Sequence, residues 1–178
     1  MPVFQATPKA AASALNAEVR ERALIASVTA TFVEREGRAP GGWLSPWIAE
    51  TERTPDLLHE AGYRYVLDWC MDDQPVWLRT RNGRILSLPY PQELNDSAAI
   101  IGRRVSTNEF SDMVIDPFDE LLEQSREQPL VMGIALHSMI VGQPFRLRQL
   151  RRAMAHIAQR RELCGLATAG EVALAFTR

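Results

Sequence analysis

The chain has 178 residues, is 46% hydrophobic and 24% charged, and carries a formal net charge of −2. That is enough chain for one soluble domain with a sizeable core. The near-neutral charge excludes the electrostatic footprint of a general nucleic-acid binder and a polybasic membrane patch. No run of 18 apolar residues occurs, so no transmembrane helix is expected.

All cations but Lys9 are arginines, scattered over predicted helix faces, which reads as codon bias. The first thirty residues lack a basic start followed by a long apolar stretch, so no secretory signal is expected and the location read is cytoplasmic. Cys70 and Cys164 are far apart in apolar surroundings and read as buried thiols in a reducing compartment.

Residues 1–17 read as a loose N-terminal arm, with the domain proper over 18–178. A helix is expected over Asn16–Glu36, because Val19, Ala23, Ala26, Ala30 and Val33 recur at three- and four-residue steps and Gly37 supplies a left-handed cap. Trp43-Leu44-Ser45 reads as a short strand ended by Pro46. Thr54-Pro55 opens a helix, with Thr54 as its cap, and Gly62 ends it. Residues 63–67 are aromatic and β-branched and read as a strand entering Asp68. A polar loop runs to Arg81, followed by a turn at Arg81–Arg84 and a strand over Ile85–Leu88.

Ser106 and Glu109 form a capping box for a helix striped with Phe110, Met113, Val114, Phe118, Leu121 and Leu122 and kinked at Pro117. Residues 130–136 are apolar without alternation, as expected of a strand covered on both faces in a parallel sheet. A helix from Pro144 to about Arg161, a strand over 163–167 and a short helix capped by Thr168 and Glu171 complete the chain. Alternating strands and helices predict an α/β fold. The strand count is too low for a closed eight-fold barrel of ~250 residues.

Active groups in parallel α/β folds stand at the carboxyl ends of strands. Those positions here hold Ser45, Pro46 and Trp47; Asp68, Trp69, Asp72 and Asp73; Tyr90, Glu93, Asn95 and Asp96; and His137. All are expected on one rim. His137 is the sharpest candidate, because imidazole titrates near ~6.5 and can hand a proton to a leaving amine at neutral pH. Asp72 and Asp73, walled by Trp69, Pro75 and Trp77, suit a pocket. No clustered metal-ligand spacing, nucleotide loop or nucleophile elbow is present.

Several ordered blocks resemble the polysaccharide deacetylase (NodB-homology) family. They are Gly42-Trp43-Leu44-Ser45-Pro46-Trp47, Thr54-Pro55-Asp56-Leu57-Leu58, Tyr65-Val66-Leu67-Asp68-Trp69 through Asp72-Asp73-Gln74-Pro75, Leu88-Pro89-Tyr90 with Glu93, Asn95 and Asp96, and Leu136-His137 through Ile140-Val141-Gly142-Gln143-Pro144 and Arg146. They are most similar to the allantoinase-like branch.

The resemblance implies a partial (β/α) barrel lacking its N-terminal strands, and hydrolysis of N-acetyl or other non-peptide C–N bonds in carbohydrate metabolism. It implies His137 as general acid, Asp68 as the carboxylate orienting it, and Leu136 in the acyl-receiving wall. Trp43, Pro46, Trp47, Asp72, Asp73, Trp77, Tyr90, Glu93 and Asn95 are then expected to line the substrate groove.

Two features depart from the family. Leu44 replaces the groove arginine, and residues 1–17 contain neither the Asp-Asp pair nor the His-x-x-x-His motif. No cofactor is evident, and zinc enters only through the resemblance, without its ligands. Amide hydrolysis needs an activated water, a stabilised oxyanion and a protonated nitrogen, and these residues offer the last.

The expected partners are a glycan or small-molecule substrate, with no nucleic acid and no membrane, and a homo-oligomer or a complementary N-terminal chain. Two other readings stand beside the deacetylase. One is an allantoinase-like hydrolase of a ureide or cyclic amide. The other is an inactive, truncated remnant that binds a ligand or partner through unpaired strand edges.

Overall fold

A computed structural model describes residues 8–177, with side-chain surroundings from Leu15 onward. The chain divides into two compact units, one running to Asp68 and including Trp77–Leu86, the other comprising Trp69–Val76 and everything from Ser87.

The first unit begins with helix α1, Pro8–Glu36. It starts eight residues earlier than the apolar periodicity predicts, and residues 1–7 of the expected arm lie outside the described residues. Gly37 closes it at φ 69°, its N–H donating to the Val33 carbonyl at 3.0 Å, as the C-terminal glycine predicts.

The buried face of α1 differs from the predicted one. Ile25 is buried, with Glu18, Glu21, Val28 and Thr29 half-buried beside it, whereas Val19, Ala23, Ala26, Ala30 and Val33 are exposed. Polar bonding decides the inward face. Glu18 pairs with Arg81 at 2.9 Å, Glu21 accepts from the hydroxyls of Thr51 and Thr54, and Thr29 meets the Tyr63 hydroxyl at 2.8 Å.

Strand β1 (Gly42–Trp43), helix α2 (Thr54–Glu60), strand β2 (Tyr65–Val66), strand β3 (Val76–Thr80) and strand β4 (Gly83–Ser87) follow. The sheet order is β1-β2-β4-β3, with β1 and β2 parallel. Gly42 is required where it stands, since a Cβ there would sit 1.9 Å from the Tyr65 ring. Pro55 opens α2 as expected, but Thr54 makes no cap bond to that helix; its hydroxyl accepts from Thr51 N–H at 2.8 Å.

Strand β3 occupies residues that read as loop. A two-residue connection joins it to β4, which makes the pair a hairpin. The core of this unit is Ile25, Leu57, Leu58, Tyr63, Val66 and Ile85, with Trp43 and Leu78 packed against it.

In the second unit, helix α3 (Thr107–Gln124) packs on helix α5 (Pro144–Ala158). Ser106 caps α3 through Glu109 N–H at 3.2 Å, and the helix continues through Pro117. Phe110, Val114 and Ala153 are buried between them with Leu94, Ala99, Ile100 and Val141.

Two predicted strands are absent. Residues 130–136 make a single parallel bridge, Asn95 with Ala135, and are half-buried up to Ala135 and exposed at Leu136 rather than covered on both faces. Residues 163–167 form turn and loop, with Leu163 and Leu166 exposed. An apolar run becomes a strand only where another strand takes up its backbone groups, and among the described residues these segments lack such a ladder. The short helix α4, Ser138–Val141, follows His137 directly. Helix α6, Ala169–Phe176, starts with the expected Thr168–Glu171 capping box.

The architecture is a mixed α/β fold combining a parallel strand pair with helices. Among the described residues no helix is long and apolar enough to cross a membrane.

Candidate active site

His137 stands where the extended segment 130–136 meets α4. Its partner is Asp96. The Asp96 carboxylate accepts from the His137 backbone N–H at 2.8 Å with one oxygen and lies 2.6 Å from imidazole Nδ1 with the other. The Asp96 N–H in turn donates to the Ala135 carbonyl at 3.1 Å. Asp96 is therefore sewn to both ends of the Ala135–His137 segment. Its side chain is 0% exposed, while the imidazole is 41% exposed. A buried acceptor thus fixes one ring nitrogen and leaves the ring reachable from outside.

Asn95, next to Asp96, bonds the turn that follows. Its side-chain oxygen accepts from Ser97 N–H at 3.0 Å, at the start of an unforeseen π-helical turn, Ser97–Gly102. Leu136 is exposed beside His137.

The same unit holds an open cleft of about 980 Å³, lined by Cys70–Asp73, Pro89–Leu94, residues of α3 and Val131–Gly133. Asp72, Asp73, Tyr90 and Glu93 all lie in its wall; His137 and Leu136 do not. Asn95 and Asp96 follow directly on the lining residue Leu94, so the backbone of the wall runs into the imidazole's partner.

Asp73 is pushed above its ordinary carboxylate value by burial first, then by the charges of Asp72 and Glu93. Tyr90 is raised chiefly by burial and then by Cys70, against a bond with Asn95 that acts the other way. The Cys70 thiol donates to the Tyr90 carbonyl at 2.9 Å and is exposed rather than buried as expected; Cys164 is half-buried.

The remaining expected site residues belong to the first unit. Asp68 is 6% exposed, and both its oxygens face Ser45, accepting from the backbone N–H and from the hydroxyl at 2.7 Å each. The Trp43 indole N–H donates to that hydroxyl at 2.8 Å, and its ring stands edge-on to Tyr63. Pro46 starts a 3₁₀ turn in which Trp47 and Ile48 take positive φ of 60° and 49°, leaving Trp47 91% exposed. Trp77 is covered by the Arg84 guanidinium, 4.1 Å from the ring centre.

Two features escaped the sequence reading. The sequence places Asp96 after the third strand and gives it no role of its own, because no local pattern ties it to a histidine 41 positions away. The π-helical turn beside it carries no recognised motif.

A zinc site does not fit these residues. No group of three His, Cys, Asp or Glu side chains that could hold a metal occurs among the described residues. Asp72 also spends one carboxylate oxygen on its neighbour's backbone N–H.

No family model matches the chain. A curated Schizosaccharomyces pombe protein, provisionally assigned as a polysaccharide deacetylase, is 32% identical over 117 residues, 60% of this chain and 36% of that protein. Among solved structures, PuuE allantoinase superposes with a TM-score of 0.78 at 27% identity, covering 88% of this chain and 52% of that one. A Pseudomonas aeruginosa protein assigned to the polysaccharide deacetylases gives 0.78 and 27%, covering 90% and 54%. One from Mycobacterium smegmatis gives 0.68 at 21%, a likeness of fold. The chain spans about a third to a half of the length of these proteins. The chain is thus similar in sequence to a protein assigned to the polysaccharide deacetylases, and in fold to PuuE allantoinase and to a Pseudomonas aeruginosa protein of the same assignment.

Proposed function

We propose that the chain serves hydrolysis of a non-peptide C–N bond, an N-acetyl or related amide of a carbohydrate, with His137 as the acid that protonates the departing nitrogen. The carrying observation is the His137–Asp96 pair: a buried carboxylate on Nδ1 and a ring open to an incoming group.

With Nδ1 engaged, Nε2 is the nitrogen that exchanges a proton. Water adds to the carbonyl carbon and gives its proton to solvent, the C–N bond breaks, the nitrogen leaves with the proton that the imidazolium gives up, and the ring takes a proton back from solvent. Asp96 stabilises the charged ring and fixes its orientation, so it is a positioning residue. In this reading Asp68 supports the Ser45 turn that carries Pro46 and Trp47 within the first unit. Within the second unit, Asp72, Asp73, Tyr90, Glu93 and Asn95 form the substrate wall, with Leu136 as an apolar surface. The fold is read as part of a (β/α) barrel of the NodB-homology type, and the protein as cytoplasmic.

Amide hydrolysis of a ureide or cyclic amide is the second reading, favoured by the superposition on PuuE allantoinase. Incubation of the purified chain with an N-acetylated glycan and, separately, with allantoin distinguishes the two by product: acetate or the opened ureide. Under the proposal acetate appears, and His137→Ala reduces its release by ~10²–10⁴-fold. A His137→Ala protein with full turnover removes the assigned role. A wild-type chain inert on both substrates refutes hydrolysis by this chain and leaves a binding module.

A further inference from the structure

The five residues whose periodicity marks α1 as amphipathic are the ones the fold leaves outside. Val19, Ala23, Ala26, Ala30 and Val33 are all exposed, while Ile25, Glu21 and Val28 on another face meet the rest of the unit. Leu15 extends the stripe at its N-terminal end and is exposed as well. The steps alternate four and three residues, the 3.5-residue period of a helix–helix seam and not that of a single straight helix face.

We infer that this stripe is the contact between two copies of the chain, with their α1 helices packed antiparallel. Alanine at three of the five positions lets two helix axes approach closely, and Val19, Val33 and Leu15 supply the larger apolar area at the ends. Charge selects both the partner and its direction. Arg20 and Glu34 flank the stripe on the same side, two heptads apart, and neither is in an ion pair among the described residues. An antiparallel pair crossing near Ser27 sets Arg20 of each copy against Glu34 of the other, twice over by symmetry. A parallel pair would leave the two charges at different heights, with no partner across the seam. The surface is thus complementary to itself, which an unrelated partner does not require. This contact is independent of the proposed hydrolysis.

Sedimentation equilibrium of the wild-type chain and three variants tests the contact. The wild type is expected as a dimer. Ala26→Glu with Ala30→Glu is expected to weaken association by on the order of a hundredfold, because like charges then meet in the seam. Arg20→Glu alone weakens it, and Arg20→Glu with Glu34→Arg restores it. All these positions are exposed, so circular dichroism and melting temperature serve as the check on folding, and the charge-swap variants decide the matter if the alanine variant does not fold. A wild-type chain that stays monomeric, a dimer indifferent to the seam charges, a swap that fails to restore it, or association only with a different polypeptide each overturns the inference.

Discussion

Two buried aspartates, one in each unit, hold two short segments in nearly the same way. Asp68 binds Ser45 through its backbone N–H and its side chain, and Asp96 binds His137 through the same two groups. The carboxylates are comparably buried, at 6% and 0%. They differ in what they hold. Ser45 is buried and its hydroxyl also accepts from Trp43, so the Asp68 cluster is a closed knot. His137 is a titratable ring with an open side, so the same clamp presents a group that can exchange a proton with a ligand. A buried carboxylate by its geometry alone does not mark chemistry; the exposure and acid–base character of what it orients do.

The contrast is broken most strongly at the imidazole. His137→Ala is expected to abolish nearly all turnover, a loss of ~10²–10⁴-fold, with little change in the circular dichroism spectrum. Asp96→Asn is expected to cost on the order of tenfold to a hundredfold in turnover, since the ring loses its charged partner. Restoration of that loss by Asp96→Glu in initial-rate assays would show that the charge matters.

Asp68→Asn is expected to act on stability. It sets an amide NH2, which donates and does not accept, against one of the two Ser45 donors, at a cost of about 1 to 3 kcal/mol in urea unfolding. Turnover per folded molecule should stay near the wild-type value. A large loss of turnover at constant stability would instead give Asp68 a part in the chemistry.

The smallest effect lies in the cleft. Asp73 titrates above its ordinary value of 3.8 because burial and the charges of Asp72 and Glu93 oppose ionisation. A carboxyl whose folded value is raised contributes stability that is fully present below about pH 3.8 and is lost as the pH rises through the folded value. Asp73→Asn should therefore flatten the melting temperature across that acidic window and raise it slightly above the window. An unchanged profile would mean that Asp73 does not carry this dependence.

What the sequence disclosed follows the range of the interactions. Caps are local, and the Ser106–Glu109 and Thr168–Glu171 pairs and the glycine at 37 stand where three or four neighbouring residues place them. Strands depend on partners elsewhere in the chain. Residues 76–80 became a strand because β4 lies one two-residue turn away, while the apolar runs 130–136 and 163–167 did not. The face of α1 misled for a related reason: apolar periodicity identifies a face that wants cover, whereas Glu18, Glu21 and Thr29 found bonding partners and decided which face turned inward.

The site divides likewise. His137 is legible because a seven-residue apolar run ends at it, and the cleft acids because they are adjacent in sequence. Asp96 is not, because its contact with the ring spans 41 positions and is visible only once the chain has folded.

The pairing of imidazole and buried carboxylate is most directly tested by ¹⁵N NMR of the His137 ring in the wild-type chain near neutral pH. The account predicts that the neutral ring carries its proton on Nδ1, bonded to Asp96, with Nε2 bare to receive a second proton. A ring protonated on Nε2, or one exchanging freely between both forms, would contradict it.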